Sequence, residues 1–317
     1  MSAKVFIDGD SGTTGLQIRT QLANRTDLNL LRIPEGQRKD PLRRQEALNA
    51  ADLAILCLPD DAAQESAAMV QNPKTKIIDT SSAHRVTEGW TYGFPEYDTK
   101  QRKLIAASTR VSNPGCYAIT SIAILRPLIA NSLLSPEWPV TINAVSGYSG
   151  GGKTLIRAFE DKNSGHYTES AYYAYGLSLK HKHVPEITKW SGLAHTPTFV
   201  PSVARYRQGM IVQIPLPLWS MINAPRPADI RTALADHYAE CVFVSVPPLA
   251  DTVAMSLLDP EILNDTNELR IYVFANEEKR EVVVMGVIDN LGKGASGQAV
   301  QNMNIMLGLP EGKGLSL

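Results

Sequence analysis

Short apolar runs bounded by polar turns recur along the first third of the chain. Ala3–Ile7, Leu28–Ile33, Ala51–Leu58, Lys76–Thr80 and Lys103–Ala107 each read as a strand. They are apolar almost throughout rather than alternating, which is the pattern of strands covered on both faces of a parallel sheet. Helical spacing of apolar positions over Leu16–Asn24 follows the first strand, and a shorter helical stretch, Arg43–Asn49, lies between the second and third. The pattern predicts an abbreviated Rossmann-type, doubly wound α/β domain.

The rhythm changes after Cys116. Cys116–Ala130 reads as a helix, and Val140–Val145, Phe199–Val203, Met210–Pro215, Cys241–Val246, Arg270–Ala275 and Glu281–Ile288 as strands with longer connections. These predict a second, α+β domain with a mixed or antiparallel sheet. Gly294–Gly308 carries apolar residues at helical spacing and ends in glycine, so it predicts a terminal helix returning to the first domain. The expected division is 1–115 with 293–317, against 116–292.

Composition narrows the function. Lysine plus arginine number 31 against 32 aspartate plus glutamate, a net charge of -1, which points away from a nucleic-acid partner. The first residues read as a strand and not as a signal peptide, and no run reaches the ~18 apolar residues of a membrane helix. Three cysteines without paired spacing fit reduced thiols in a cytoplasmic protein and no disulfide framework. Cys57 and Cys241 fall in apolar strands and read as small core residues.

Gly9, Ser11, Gly12, Thr13, Thr14 and Gly15 lie in a loop that joins the first strand to a helix. Glycines there allow a tight turn and close approach of a pyrophosphate, and the helix start favours its charge. The spacing is GxxGxxG, so a ligand-free turn also fits the motif taken alone. An NAD-preferring domain places an acid at the end of its second strand; here Arg32, Arg38 and Lys39 lie in or after it. Cations suit a 2′-phosphate, so NADP(H) is the expected cofactor, while Glu35 leaves NAD open.

Ser112–Tyr117 reads as a strand-to-helix junction broken by Pro114 and Gly115. Cys116 then opens an apolar helix, whose positive end lowers a thiol pKa and whose first N–H groups can hold an oxyanion. A nucleophile needs a proton-transfer group. His181 and His183 stand in Lys180–Ile187 with Glu186 placed to orient an imidazole; an exposed polar turn fits that segment equally well. The His-x-His pair lacks a third ligand nearby, so no metal is expected. Two loops following strands offer phosphate contacts: Asp79–Arg85, with Ser81 and Arg85, and Ser146–Lys153, with Gly150 among its N–H groups. The second ends in lysine like a P-loop but does not follow the first strand of a parallel nucleotide domain, so triphosphate hydrolysis is not expected.

FIDGDSGTTGLQIR, DTSSAHR, YGFPEYD, SNPGCY, VSGYSGGGK, HKHVPEI and DNLGKGASGQAVQNMN run in order over nearly the whole chain. Together they resemble the short form of the N-acetyl-gamma-glutamyl-phosphate reductase family, in the semialdehyde dehydrogenase superfamily. The resemblance implies NADPH-dependent reduction of an acyl phosphate, N-acetyl-glutamyl 5-phosphate, to the semialdehyde through a cysteine thioester, in arginine biosynthesis. It implies Cys116 as nucleophile, His183 as acid–base with His181 open, and substrate contacts from Ser81, Arg85, Asn113 and Gly150. It further implies cofactor contacts from Asn290 and Lys293, and a homodimer or homotetramer. The rival is aspartate-semialdehyde dehydrogenase, with a catalytic histidine where this chain has Met210. A non-catalytic dinucleotide sensor is the contrasting class, and it would have no use for a nucleophile at Cys116.

Overall fold

The computed structural model describes residues 2–221 and 223–317. The chain forms two compact units. The first is built from residues up to 115 together with 295–316, the second from 116–294. No helix among the described residues is long and apolar enough to cross a membrane.

The first unit holds six strands, β1 (Ala3–Asp8), β2 (Leu28–Leu31), β3 (Leu53–Leu56), β4 (Lys76–Asp79), β5 (Thr91–Tyr92) and β6 (Arg110–Ser112). They form one all-parallel sheet in the order β2-β1-β3-β4-β6-β5. Side chains alternate across it. Val5, Ile7, Ile55 and Ile78 pack on one face with Val300 and Met303, while Phe6, Ala54, Leu56 and Ile77 pack on the other with Leu48. Helices α1 (Thr13–Leu22), α2 (Pro41–Ala50), α3 (Asp60–Ala68) and α4 (Gln101–Ala107) connect the strands.

Two expectations change here. The span 103–107 is helical, within α4, and the sixth strand is Arg110–Ser112. Asp98 decides the matter: its carboxylate accepts from the N–H groups of Lys100 and Gln101 at 2.8 and 2.9 Å and starts a helix. Gln101 and Ile105, four apart, are then buried on one face. Helix α3 gave no apolar signal because its inward side is small: Ala63, Ser66 and Ala67.

The terminal segment forms a π-helical turn (Gly292–Ser296) and then a helix (Gly297–Met306) whose ten residues are all buried. Its polar side chains are bonded inside the first unit. Gln301 donates to Glu96 and Glu311, and Asn304 donates to the carbonyls of Glu311 and Lys313. Arg25 donates to Asn304 and to Asp27.

The second unit holds β7 (Thr141–Gly147), β8 (Tyr172–Ala174), β9 (Thr198–Ala204), β10 (Met210–Pro217), β11 (Val244–Ser245), β12 (Leu269–Asn276) and β13 (Glu281–Ile288). Their order is β11-β12-β13-β10-β7-β9-β8, with β11–β12 and β7–β9 parallel and the rest antiparallel. Helices α5 (Cys116–Ala130), α6 (Gly152–Glu160), α7 (Val184–Ser191), α8 (Pro227–His237) and α9 (Leu249–Val253) complete it. Helix α5 lies tightly on the sheet: a Cβ on Gly286 of β13 would come within 2.4 Å of the Thr120 methyl carbon. The expected strand 241–246 shrinks to Val244–Ser245. Cys241 closes a turn after α8, and Pro247 and Pro248 have no N–H to extend the ladder. Cys57 likewise lies just past β3, half-buried, with burial pushing its thiol up to about 12.

The Arg25 guanidinium, with Lys313, holds the Asp27 carboxyl far below the usual carboxylate range. A depressed folded-state pKa stabilises above the unfolded value of about 4 and is lost as pH falls through the folded one. Asp27→Asn is therefore expected to lower the unfolding free energy at neutral pH by about 1 kcal/mol or less, as for a surface pair. The gap should narrow in denaturation curves taken from about pH 4 downward; a gap constant with pH would refute the linkage.

Candidate active site

In the first unit, β2 lies on one side of β1 and β3 on the other, so the sheet order reverses at the end of β1. Crevices at such points take nucleotides in open α/β sheets. Two loop glycines are required sterically. Gly9 has φ +89°, and a Cβ there would meet the Cys57 carbonyl oxygen at 2.3 Å. A Cβ on Gly15 would meet the Gly9 carbonyl oxygen at 2.4 Å. Gly12 caps α1 in an extended conformation, and Thr13 and Thr14 open the helix with its first N–H groups.

Gly9 and Ser11 line a cavity of about 590 Å³ with Arg32, Arg38, Lys39 and Arg44. No carboxylate ends β2; Arg32 follows it directly, and Glu35 lines the same cavity. Close-approach glycines, a helix start and a cation-lined cavity fit the phosphates of a dinucleotide, a 2′-phosphate included.

The Asp79–Arg85 loop is built around a buried acid. Ser81 donates to Asp79 from both N–H and Oγ, at 2.9 and 2.7 Å, and His84 Nδ1 lies 2.6 Å from Asp79 Oδ2. Arg85 is buried and donates from Nε to the Asn113 carbonyl and from Nη2 to the Thr80 carbonyl. Asn113 is bonded in turn to Asn302 and to the Ala295 carbonyl. Of the three residues expected at the substrate, Ser81 thus holds Asp79, while Arg85 holds Asn113 and so the backbone that leads to Cys116.

In the second unit Cys116 is the first residue of α5 and is half-buried. The turn before the terminal helix presses on it: a Cβ on Gly294 would lie 2.8 Å from the Cys116 Cβ. The neighbouring Tyr117 joins the cysteine to the histidines. Its ring lies edge-on to His181 and His183, 5.9 Å from each. Its hydroxyl donates to the Ser202 carbonyl at 3.1 Å and accepts from Tyr175 at 3.3 Å. Burial pushes the Tyr117 phenol well above its ordinary value, so it remains a neutral donor.

His181 is boxed by Tyr117, Tyr175, Phe199 and His183, and its Nδ1 accepts from the His183 N–H at 3.2 Å. A neutral His181 therefore carries its proton on Nε2. His183, 5% exposed, stands at the N-cap of α7, and Glu186 is buried in that helix's first turn.

The glycine run after β7 offers fewer free donors than its sequence suggests. The N–H groups of Gly147, Tyr148 and Ser149 donate to the carbonyls of Gly209, Tyr206 and Arg207. Gly150 packs near Ser146 and Asn290. The Asn290 amide accepts from the Gly209 N–H and donates to Ser149, and Lys293 is buried with Nζ over the Phe243 ring. Both expected cofactor residues are held by their side chains inside this unit. Met210 is a fully buried core residue at the start of β10. Tyr117, Tyr175 and Gly294 escaped sequence reasoning; adjacency to the cysteine was the available signal for Tyr117, and nothing local marked the other two.

Residues 4–105 match the NAD binding domain of semialdehyde dehydrogenases, and residues 116–290 match their dimerisation domain. The chain belongs to the semialdehyde dehydrogenase family. Its likeness to the aspartate semialdehyde dehydrogenase II of Vibrio cholerae is one of fold: TM-score 0.71 at 14% identity, covering 97% of this chain and 99% of that one. The Candida albicans aspartate semialdehyde dehydrogenase with NADP gives TM-score 0.62 at 11% identity, covering 97% and 99%.

Within the family the chain stands with the N-acetyl-gamma-glutamyl-phosphate reductases. It is 50% identical to that of Mesorhizobium japonicum, over 98% of this chain and 100% of the relative. It is 51% identical to that of Burkholderia cenocepacia (96% and 97%) and 51% identical to the reductase 2 of Pseudomonas putida (98% and 98%).

Gly294→Ala tests the fit around the cysteine. The added methyl meets the Cys116 Cβ, which has no flexible end to yield, so the cysteine must shift. Turnover is expected to fall about tenfold or more, with altered alkylation of Cys116 by iodoacetamide. Wild-type alkylation and turnover together would show that the contact is slack.

Proposed function

We propose that this chain reduces N-acetyl-L-glutamyl 5-phosphate to N-acetyl-L-glutamate 5-semialdehyde and phosphate, using NADPH, as a step of arginine biosynthesis. The observation that carries this reading is the half-buried cysteine at the start of α5, linked through Tyr117 to a histidine of fixed tautomer. The names of relatives about 50% identical over nearly full length supply the substrate.

The Cys116 thiolate attacks the acyl carbon. A sulfur–carbon bond forms, the bond from that carbon to the phosphate oxygen breaks, and phosphate leaves. The first N–H groups of α5 donate to the carbonyl oxygen as it gains charge. The glycine loop and the cation-lined cavity would hold NADPH, which when bound would supply the hydride that reduces the acyl carbon. The carbon–sulfur bond then breaks, the aldehyde departs and Cys116 leaves as thiolate.

His181 is assigned the hydrogen bond to the oxygen of the thiohemiacetal intermediate, with His183 as the alternative acid–base group. His181 is the more exposed of the pair, and with Nδ1 accepting from the His183 N–H its neutral ring presents Nε2–H as a donor. His183 contributes that backbone bond and packing, and Glu186 is the buried carboxylate available to hold the imidazoles. Arg85 and Ser81 brace the approach to Cys116, and Arg85 adds positive charge for the departing phosphate. The match to a dimerisation domain supports a homodimer or a homotetramer built from such dimers. Three free cysteines suit a reducing cytoplasm.

The test runs the reaction backward: N-acetylglutamate semialdehyde, NADP and phosphate, with NADPH absorbance followed. Cys116→Ser is expected to lose on the order of 10³-fold or more. His181→Asn should lose on the order of 10²-fold, and His183→Asn, which keeps the backbone donor, clearly less. Equal turnover of aspartate semialdehyde, or an active Cys116→Ser, would overturn the reading.

A further inference from the structure

We propose that the ion pair between Arg44 and Asp8 sets the preference of this chain for a dinucleotide bearing a 2′-phosphate. The inference rests on the NADPH reading above and adds to it the residues that select the cofactor.

Asp8 ends β1, directly before the glycine loop, and its carboxylate is almost fully buried. Arg44 donates to it from Nε at 3.2 Å and from Nη2 at 2.9 Å, and Ser66 Oγ donates at 2.6 Å. Asp8 and Arg44 both line the 590 Å³ cavity with Arg32, Arg38 and Lys39. Without Arg44, a carboxylate whose charge is unpaired, with the Ser66 hydroxyl still donating to it, would stand in the wall of the cavity that receives the adenosine end of the cofactor. An uncompensated buried charge is costly in itself, and it repels a phosphate dianion far more than it repels a ribose hydroxyl.

The other cations are held loosely. Arg38 Nη1 lies 3.8 Å from both Asp10 and Glu35, beyond hydrogen-bond length, so an arriving phosphate can draw it away. Arg32 and Lys39 are exposed. Arg44 differs because it is on a rigid element. Helix α2 is capped by the Asp40 side chain on the Leu42 N–H and anchored by fully buried Leu48. Four cations face three carboxylates in this cavity, Asp8, Asp10 and Glu35 being the acids. Arg38 and Lys39 are thus the mobile contacts to the 2′-phosphate, and Arg44 keeps Asp8 from opposing it.

The test measures binding of 2′,5′-ADP and of 5′-AMP by calorimetry, and the kcat/KM ratio for NADPH over NADH. Arg44→Gln is expected to weaken 2′,5′-ADP by about tenfold or more while 5′-AMP changes by less than about threefold. The double variant Asp8→Asn with Arg44→Gln removes both charges and should restore most of the 2′,5′-ADP affinity, a rescue that loss of packing would not give. Asp8→Asn alone leaves an unopposed cation and should tighten 2′,5′-ADP severalfold, which reads the same charge even if Arg44→Gln does not fold. Unchanged selectivity in Arg44→Gln, absence of rescue in the double variant, or no gain in Asp8→Asn would overturn the assignment. If the unaltered protein binds 2′,5′-ADP no better than 5′-AMP, the NADPH reading fails instead.

Discussion

Every polar group of Asn113 is engaged within the first unit. Its N–H donates to the Asp79 carbonyl, its own carbonyl accepts from Arg85, Oδ1 accepts from Asn302, and Nδ2 donates to the Ala295 carbonyl. A buried amide left half-bonded costs more than a completed bond contributes, so the four partners stand or fall together. They come from two regions far apart in sequence: β4 with the loop after it, and the terminal segment. Asn113 is followed by Pro114, whose φ is fixed, then Gly115 and Cys116. The backbone that delivers Cys116 to its helix is therefore set by a hydrogen-bond knot. In this light Arg85 is first a brace, since a guanidinium that binds two carbonyls at 3.0 and 3.1 Å cannot also swing toward a ligand without releasing Asn113.

The terminal helix explains why that knot persists. A helix buried on every side normally reads as apolar throughout, yet this one carries Gln298, Gln301, Asn302 and Asn304. Most of these amides reach partners from separate parts of the first unit: Glu96, Gly93, Asn113 and Glu311. Such a network specifies one docking register, because sliding the helix by a turn would break several buried bonds at once. Each unit also gathers the two chain crossings for itself. The first bonds Asn113 to Ala295, and the second packs Cys116 against Gly294.

These two layers were unequally legible in the sequence. Apolar runs reveal strands because burial leaves little room for polar side chains, and β1, β7, β9, β10, β12 and β13 follow the pattern closely. Helix α4 was misread because Leu104, Ile105, Ala106 and Ala107 are contiguous, whereas the capping carboxylate of Asp98 that fixes the helix lies outside the run. Cys116 was legible because a proline–glycine break before a long apolar helix leaves a local trace. The bonding of the Asn290 side chain was not: its motif is visible, but the Gly209 N–H from which it accepts lies 81 positions away. Arg44 was hidden in a polar helix whose signal is solvent exposure, when its own side chain turns inward to Asp8.

The histidine pair shows how backbone geometry can settle what residue type leaves open. From the sequence, His181 and His183 are equivalent imidazoles two residues apart. In the fold, the turn into α7 points the His183 N–H at the His181 ring, and that single donor removes one of the two neutral tautomers. The ring is also confined by three aromatic neighbours, which limit rotation about χ2. A ring that must offer one nitrogen consistently benefits from both constraints, since a ring free to flip presents the other nitrogen part of the time. His183 is buried and supplies the backbone donor that fixes the His181 tautomer. The pair therefore works as one unit, in which the buried member fixes the tautomer of the more exposed one.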